Sequence, residues 1–523
     1  MLLNAIFLTP AYSAESLYRP LILASAFVAT AALPRASVLR LYRAGLVLMA
    51  LLVLLGLVQY VFGVLHLNQN ALRAAATFIT PNTFAAAINL FLLPAIVIYL
   101  TTDRSPRILG VSLWLFAGLI ATQSRGGLLA MLAGLGFVAL CLGRERLKAA
   151  AAPGGRLLLG AIAVWVAVVA VGKVAVPITH DGKLPAPSMD MWVARAYWDR
   201  AEIYATTLKL ILERPLAGAG ANMFWPLFEP RRPEVFGDKT FLFAHNDYLQ
   251  FWLEFGLAGL FLLAGLGAAA LLRARRAARE NARDPVSLAS GAALASLFAH
   301  AAVDFPFYVP FLLAVAGAML GALVAAGKGS PGEHASPTGL PLTVRGALVV
   351  AGLAWLSQPM LAELASSRAL TVLGRGELNA GLYWQSVARR LEPRNPAHYW
   401  AEATTWKSLA MESGDRSHWA RADALLAEGA LANPPASIPL SLERARLHRQ
   451  HGAMLDNAAS PAQIVAWVEE ARARAPRSAM VRAELARSLA YAGQLDEARR
   501  IERALAAERP ESPLVRSLRR DIQ

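Results

Sequence analysis

The sequence predicts an all-α protein: a polytopic bundle of transmembrane helices followed by a soluble α-helical repeat domain. Hydrophobic side chains make up 56% of the 523 residues, only 17% are charged, and the mean hydropathy is +0.42. Those values lie far from a soluble globular domain. Roughly ten apolar runs of membrane-spanning length precede residue 362. After that point Arg, Glu and Ala in helical periodicity take over, which divides the chain into a membrane domain, 1–362, and a soluble domain, 363–523.

The expected spans are 18–34, 44–64, 82–101, 107–122, 126–143, 157–176, 247–272, 286–303, 305–327 and 345–362, and the short apolar start Met1 to Pro10 reads as a partial span. Residues 1–17 lack the basic start and long apolar core of a cleavable signal, so the first spanning helix is expected to direct insertion. Orientation follows from arginines. Arg35, Arg40 and Arg43, then Arg104 and Arg107, then Arg144, Arg146, Lys148 and Arg156, then Arg273, Arg275, Arg276, Arg279 and Arg283 fall in alternate loops. The positive-inside rule makes those loops cytoplasmic. This also accounts for much of the net charge of +15, and no nucleic-acid partner is expected.

Every other connection then faces the opposite side. Those connections hold Pro81-Asn82, Ser124-Arg125, the long segment 177–244 ending at His245, and His300 to Asp304, so the unusual polar residues converge on one face. Within 177–244, Met191 to Glu213 reads as an amphipathic helix along the membrane surface, with Trp192, Ala196, Ile203, Leu208 and Ile211 on its apolar side. The following Arg214-Pro-Leu-Ala-Gly-Ala-Gly-Ala-Asn222 breaks the helix into a loop whose backbone amides could approach a ligand.

From residue 363 the chain reads as helical hairpins. Ala479 to Pro510 carries Leu485, Ala486, Leu489, Gly493, Ala498 and Pro510 at tetratricopeptide offsets, and Pro476 stands 34 residues before Pro510. Pro393 and Pro434 mark further units. With an even number of crossings after segment 177–244, the repeats fall on the same side as the polar cluster, where such stacks offer concave surfaces to a protein or a glycan.

His245, with Asn246, Asp247 and Gln250 along one side of a helix start, is either an interfacial side chain or a group that moves a proton to or from a hydroxyl. Arg125 either snorkels to lipid headgroups or, beside a helix N-terminus, holds a phosphate. Arg195 and Arg200 read as headgroup contacts or as a guanidinium for a diphosphate. Asn82, Ser124, Asn246, His300 and Asp304 are candidate substrate-binding or supporting residues, Asn82 also as a helix cap and Asp304 as a cap or an orienting group. Cys141 is the one cysteine and lies in an apolar run, which excludes an intrachain disulfide and a thiolate metal site. No His, Cys, Asp or Glu set has metal spacing, so no metal and no cofactor are expected.

Five stretches together resemble the O-antigen ligase and Wzy-type polysaccharide polymerase superfamily, over roughly residues 65 to 325. They are Thr80-Pro-Asn-Thr-Phe-Ala85, Thr122-Gln-Ser-Arg-Gly-Gly127, Arg200 followed by Arg214-Pro-Leu-Ala-Gly-Ala-Gly220, Ala244-His-Asn-Asp-Tyr-Leu-Gln250 running to Glu254-Phe-Gly-Leu-Ala-Gly259, and His300-Ala-Ala-Val-Asp-Phe-Pro306. The C-terminal repeats look like those appended to one branch of that superfamily. The resemblance implies a metal-independent, inverting glycosyltransferase of the GT-C type, in the bacterial inner membrane with its site and repeats in the periplasm. Its donor would be a glycan on undecaprenyl diphosphate, and its acceptor a hydroxyl of a glycan, of lipid A or of a protein. By position, the resemblance implies that Arg125 and Arg200 would hold the diphosphate, with Arg195 or Arg214 as alternatives to Arg200, and that His245 would act as base on the acceptor hydroxyl or orient it. Polymerase, ligase and protein-glycosylating members share this pattern. A non-catalytic scaffold or transporter, recruiting other polysaccharide assembly proteins through the repeats, is the reading from another class.

Overall fold

The computed structural model describes residues 18–62, 73–78, 80–179, 196–233, 236, 241–280, 285–326, 341–432, 437–508 and 512–522, and among them there are helices and connections but no strand. The membrane part comprises α1 (Tyr18–Ala31), α2 (Arg35–Phe62), α3 (Pro81–Thr101), α4 (Pro106–Ala121), α5 (Arg125–Thr179), α6 (Ala196–Glu213), α7 (Phe224–Phe228), α8 (Asp247–Glu280), α9 (Pro285–His300) and α10 (Pro310–Ala326). Four segments are both long and apolar enough to cross a bilayer: Arg35–Phe62, Pro81–Thr101, Arg125–Val174 and Asp247–Glu280. Shorter apolar helices accompany them at Arg19–Ala31, Pro106–Ala121, Pro285–His300 and Pro310–Ala325.

The 55 residues of α5 would extend about 80 Å as one rod, more than twice a hydrocarbon core of ~30 Å. Gly143, at φ 70° and ψ 167°, breaks that rod into the two apolar runs expected at 126–143 and 157–176. Local chemistry sets the helix starts. Thr80 caps α3 through a reciprocal capping box with Thr83, so the cap is Thr80 and not Asn82, which already lies inside the first turn. Ser105 caps α4 ahead of Pro106, and the Ser124 hydroxyl accepts the Gly127 N–H at the start of α5.

Helix α3 is the central pillar, buried along almost its whole length among α2, α4, α5 and α9. Its one interior polar side chain of note, Asn89, donates to the Gly127 carbonyl at 2.8 Å. On the outer surfaces, Leu140 (72% exposed), Leu159 (70%), Phe261 (68%) and Leu262 (66%) stand unpacked. Water does not tolerate such apolar belts on long helices, whereas lipid tails do, and the protein is an integral membrane protein. One end of the bundle gathers the arginine-rich turns: Arg104 donates to the Ala149 carbonyl at 3.1 Å, and Arg104, Arg146 and Pro285 line one small cavity.

At the other end, α6 lies against α8 with Ile203, Leu210 and Ile211 buried beside Phe224, Phe228, Phe236 and Leu253. It begins at Ala196, and Trp192 of the expected helix lies outside the described residues. The chain then enters α11 (Leu342–Leu373), which packs on α1 and leads into the first hairpin. The remaining helices are α12 (Leu378–Leu391), α13 (Pro396–Ser413), α14 (Arg416–Ala432), α15 (Ile438–His451), α16 (Pro461–Arg474), α17 (Ala479–Tyr491), α18 (Leu495–Glu508) and α19 (Pro513–Ile522), each packed on its neighbour in the chain. Leu485, Ala486, Leu489 and Ala498 are buried between α17 and α18, and Gly493 makes their turn at φ 79°. Pro434 and Pro510 lie outside the described residues. This stack touches the membrane part where Arg477 donates to the Arg232 carbonyl, beside a fully buried Arg232–Glu229 ion pair at 3.3 Å.

Candidate active site

The polar connections meet at the α6 end of the bundle. His245, the last residue but one before α8, has left-handed backbone at φ 52°. The Tyr204 hydroxyl of α6 donates to its carbonyl at 2.8 Å, and Asn246 accepts the Leu249 N–H as the cap of α8. Its ring meets Asp304, with Nδ1 3.1 Å from Oδ1. Asp304 stands in the α9–α10 connection and is itself positioned by its own amide bonded to the His300 carbonyl at 2.9 Å.

Burial by itself raises the Asp304 carboxyl. The hydrogen bond from His245, together with His300, outweighs burial and holds it well below the usual carboxylate range. His300 Nε2 is 3.8 Å from Asp304 Oδ2, too far for a hydrogen bond, and acts through its charge distribution. An ionised carboxylate only accepts, so His245 Nδ1 carries the proton it donates, and in the neutral ring Nε2 keeps a lone pair. The His245 side chain is 26% exposed against 3% for Asp304, so the histidine is the accessible member of the pair and the aspartate lies behind it. Phe305, 5.1 Å from the imidazole centroid, and Phe243 stacked on Phe305 at 4.3 Å form an aromatic wall.

Arg125 opens α5 after the left-handed Gln123 (φ 51°). A Cβ on its neighbour Gly126 would stand 3.5 Å from His300 Nε2, which fixes this turn against the His300–Asp304 corner. Arg200 lies one helical turn before Tyr204 on α6, on the side that reaches His245.

A third arginine completes the group. Arg73, in the α2–α3 connection, donates from Nε to the Thr122 carbonyl and from Nη2 to Asn82 Oδ1, both at 2.9 Å. Burial lowers its guanidinium to about 10, with Asp304 opposing this and the charges of Arg200 and Arg125 adding to it, so it remains charged at neutral pH. Ala76, Gln123, Asn222 and His245 are the non-glycine residues with left-handed backbone among the described residues, and all four belong to the connections that build this end. Such strain persists only where packing over-determines it, and it clusters at functional sites.

Of the residues expected from sequence, His245, Asp304, His300, Arg125 and Arg200 converge. Asn82, Ser124 and Asn246 belong to the scaffold through the bonds above. Arg214 is exposed at the end of α6 and makes no side-chain contact with this group among the described residues, and Arg195 lies outside the described residues. The glycine loop after Arg214 corrects a further expectation. The amides of Ala219 and Gly220 donate to the carbonyls of Leu253 and Glu254 at 2.8 and 2.9 Å, so they serve the kink of α8 rather than a ligand.

Sequence reasoning missed Arg73, and it also missed a second polar layer. Arg19 of α1 donates to Asn222 Oδ1 at 3.0 Å and lies over the Tyr308 ring at 4.2 Å. The Tyr308 hydroxyl donates to Glu254, which also accepts from Gln250. Arg19 and Arg73 both sit at the end where few cations are expected, the same anomaly that singles out Arg125. Among the described residues no three His, Cys, Asp or Glu side chains are grouped as metal ligands.

A comparison with curated proteins finds no match. Residues 110–264 match the family model described as O-antigen ligase, a stretch that runs from α4 into α8 and contains Arg125, Arg200 and His245. That match supports the O-antigen ligase and Wzy-type superfamily and, at the coarse level, a membrane glycosyltransferase-type role in polysaccharide assembly.

Proposed function

We propose that the protein transfers a glycan from undecaprenyl diphosphate to an acceptor hydroxyl, polymerising or ligating cell-surface polysaccharide at the periplasmic face of the bacterial inner membrane. The observation that carries this reading is the His245–Asp304 pair, 3.1 Å apart, beside arginines that outnumber the carboxylate they face. His245 Nε2 takes the proton of the acceptor hydroxyl as its oxygen attacks the anomeric carbon. The bond from that carbon to the diphosphate oxygen breaks, and its electron pair leaves with the diphosphate. A single displacement inverts the anomeric centre and calls for no metal. Charge grows on the leaving group, where preorganised guanidiniums near low-dielectric lipid stabilise it, each at a level on the order of 3 kcal/mol.

In this reading residues 1–362 form the catalytic membrane domain, and residues 363–523 form a periplasmic tetratricopeptide-like domain that engages acceptor or assembly proteins. The test is the glycan profile of a deletion strain complemented with wild type, His245→Ala or Arg125→Ala. Wild type restores product and neither variant does at equal protein level; product made by His245→Ala would remove the catalytic assignment. Loss of the long-chain ladder with single units still attached identifies a polymerase. Loss of all capped lipid A with polymer still made identifies a ligase.

A further inference from the structure

We infer that Arg73 is a third guanidinium of the anion site, binding the lipid carrier's diphosphate with Arg125 and Arg200 and setting a preference for diphosphate over monophosphate. This role rests on the polyprenyl-diphosphate donor proposed above.

The connection that carries Arg73 is built to hold it still. Gln59, 1% exposed near the end of α2, donates from Nε2 to the Ala76 carbonyl at 2.8 Å, and its Oε1 accepts the amides of Ala75 and Ala76 at 3.2 and 2.7 Å. Ala74 donates to the Ala121 carbonyl at 3.0 Å, which ties the same segment to the end of α4. Arg73 then spans from that end to Asn82 in the first turn of α3.

Both oxygens that Arg73 serves are neutral, so the scaffold needs donors there and not a positive charge. A desolvated cation with neutral partners is costly unless an anion joins it. Asp304, which acts on Arg73 through space, is already hydrogen-bonded to His245. The two bonds occupy Nε and Nη2, while Nη1 makes no hydrogen bond to a described residue and keeps its donors for a ligand. The turn that Arg73 braces at Thr122 leads directly into Ser124 and Arg125, so two guanidiniums are set from one short stretch.

Charge balance identifies the class of ligand. Among the described residues that act on Arg73, Arg125 and Arg200 are cations and Asp304 is a carboxylate, so together they make a net positive field there. A diphosphate spreads its charge over two phosphates and so meets guanidiniums from separate elements at once, and departure from the anomeric carbon adds another charge; a monophosphate reaches fewer of them. Asp247 and Glu254, two further buried carboxylates at this end, share the field of Arg19 in the second polar layer, and the buried Glu229 is paired with Arg232.

The test is direct binding of undecaprenyl diphosphate and undecaprenyl monophosphate to the full-length protein in lipid nanodiscs, by native mass spectrometry. Wild type is expected to prefer the diphosphate. Arg73→Gln should weaken diphosphate binding about tenfold or more, as loss of a charge-assisted contact does, and leave monophosphate binding nearly unchanged. Asn82→Ala provides a variant whose helix remains capped by Thr80; it removes one anchor of Arg73 and should reduce the preference by a smaller factor. A general loss of fold would weaken both lipids together. If Arg73→Gln and Asn82→Ala keep the wild-type preference, the Arg73 assignment is wrong while the donor reading stands. If wild type itself shows no preference for the diphosphate, the donor reading falls and this role falls with it.

Discussion

Gly256 of α8 and Leu216 of the loop after α6 meet backbone to backbone: a Cβ on Gly256 would lie 1.9 Å from the Leu216 carbonyl oxygen. At φ 65° and ψ −163°, Gly256 occupies a region that side-chain-bearing residues avoid. The kink exposes carbonyls of α8, and the loop satisfies them through the amides of Ala219 and Gly220, while the Trp252 indole and the Leu257 amide donate back to the Pro215 carbonyl at 3.0 and 3.2 Å. Gly256→Ala therefore combines a strained backbone with displacement of the loop, and should cost about 3 kcal/mol or more. The purified protein should melt well below wild type, and its transfer activity should fall because Ala219 of the same loop is buried in one cluster with Ala244, the neighbour of His245, and packs there with Tyr204. Gly218→Ala, whose Cβ would stand 2.4 Å from the Gly256 nitrogen, should act alike, and the two should be less than additive because they break one contact.

That contact also marks the limit of what the sequence makes legible. The apolar runs predict helices in the right places because span length and hydropathy are one-dimensional signals, and Gly143 divides α5 where the runs at 126–143 and 157–176 part. His245 and Asp304 are legible because polar residues at the edges of apolar runs stand out, and both fall in motif blocks. The partner of the glycine loop is invisible in that way: Gly218 and Gly256 lie far apart in the chain, and each pattern alone suits a ligand loop as well as a helix kink. Arg73 is hidden for another reason. It belongs to a run of alanines with no motif around it, and only the fold brings it to Thr122 and Asn82. The left-handed backbones of Ala76, Gln123, Asn222 and His245 carry no glycine signal at all.

Asp304→Asn separates orientation from mere contact. An amide at this position presents an oxygen or an N–H to His245 Nδ1, and the N–H form drives the ring proton to Nε2, where it blocks removal of a proton from the acceptor. Turnover should fall on the order of 100-fold or more, with the protein still inserted and folded. Transfer of glycan from synthetic polyprenyl-diphosphate donor by the purified variant, compared with wild type at equal concentration, checks this. Near-normal turnover would reduce Asp304 to a structural neighbour.

The C-terminal stack carries its own acid-sensitive joint. Asp423 of α14 accepts from Arg444 at 2.7 Å and from His448 Nε2 at 2.9 Å, and His448 Nδ1 in turn accepts the Ala459 amide at 3.0 Å. Burial raises the Asp423 carboxyl, but the bonds from His448 and Arg444 prevail and bring it down to about 2. Its folded value thus lies below the unfolded ~3.9, so the stabilisation is present above pH ~4 and is lost as pH falls toward ~2. The side chain is 20% exposed, and after screening the contribution is about 2 kcal/mol at most. Hydrogen exchange in α14 and α15 should accelerate between pH 4 and 2, after correction for intrinsic rates, by more in wild type than in Asp423→Asn. Equal acceleration in both would assign the acid sensitivity elsewhere.

Arg125 and Arg200, on different elements, α5 and α6, both act on Arg73 through their charges, and the proposed reading, in which both hold one diphosphate, predicts how their losses combine. Arg125→Ala and Arg200→Ala should each lower kcat/KM for the polyprenyl-diphosphate donor by about 100-fold, the size of a single preorganised donor acting on developing charge. Because both guanidiniums act on the same diphosphate, removing the first leaves a looser leaving group that the second stabilises less well. The double variant should therefore lose less than the product of the single losses. Arg125→Lys should recover only part of the activity, since an ammonium keeps the charge but not the planar fork. A double-mutant cycle on the purified enzyme measures the coupling. Strict additivity would place the two arginines on separate ligands, with Arg200 then serving the membrane surface and Arg125 the donor.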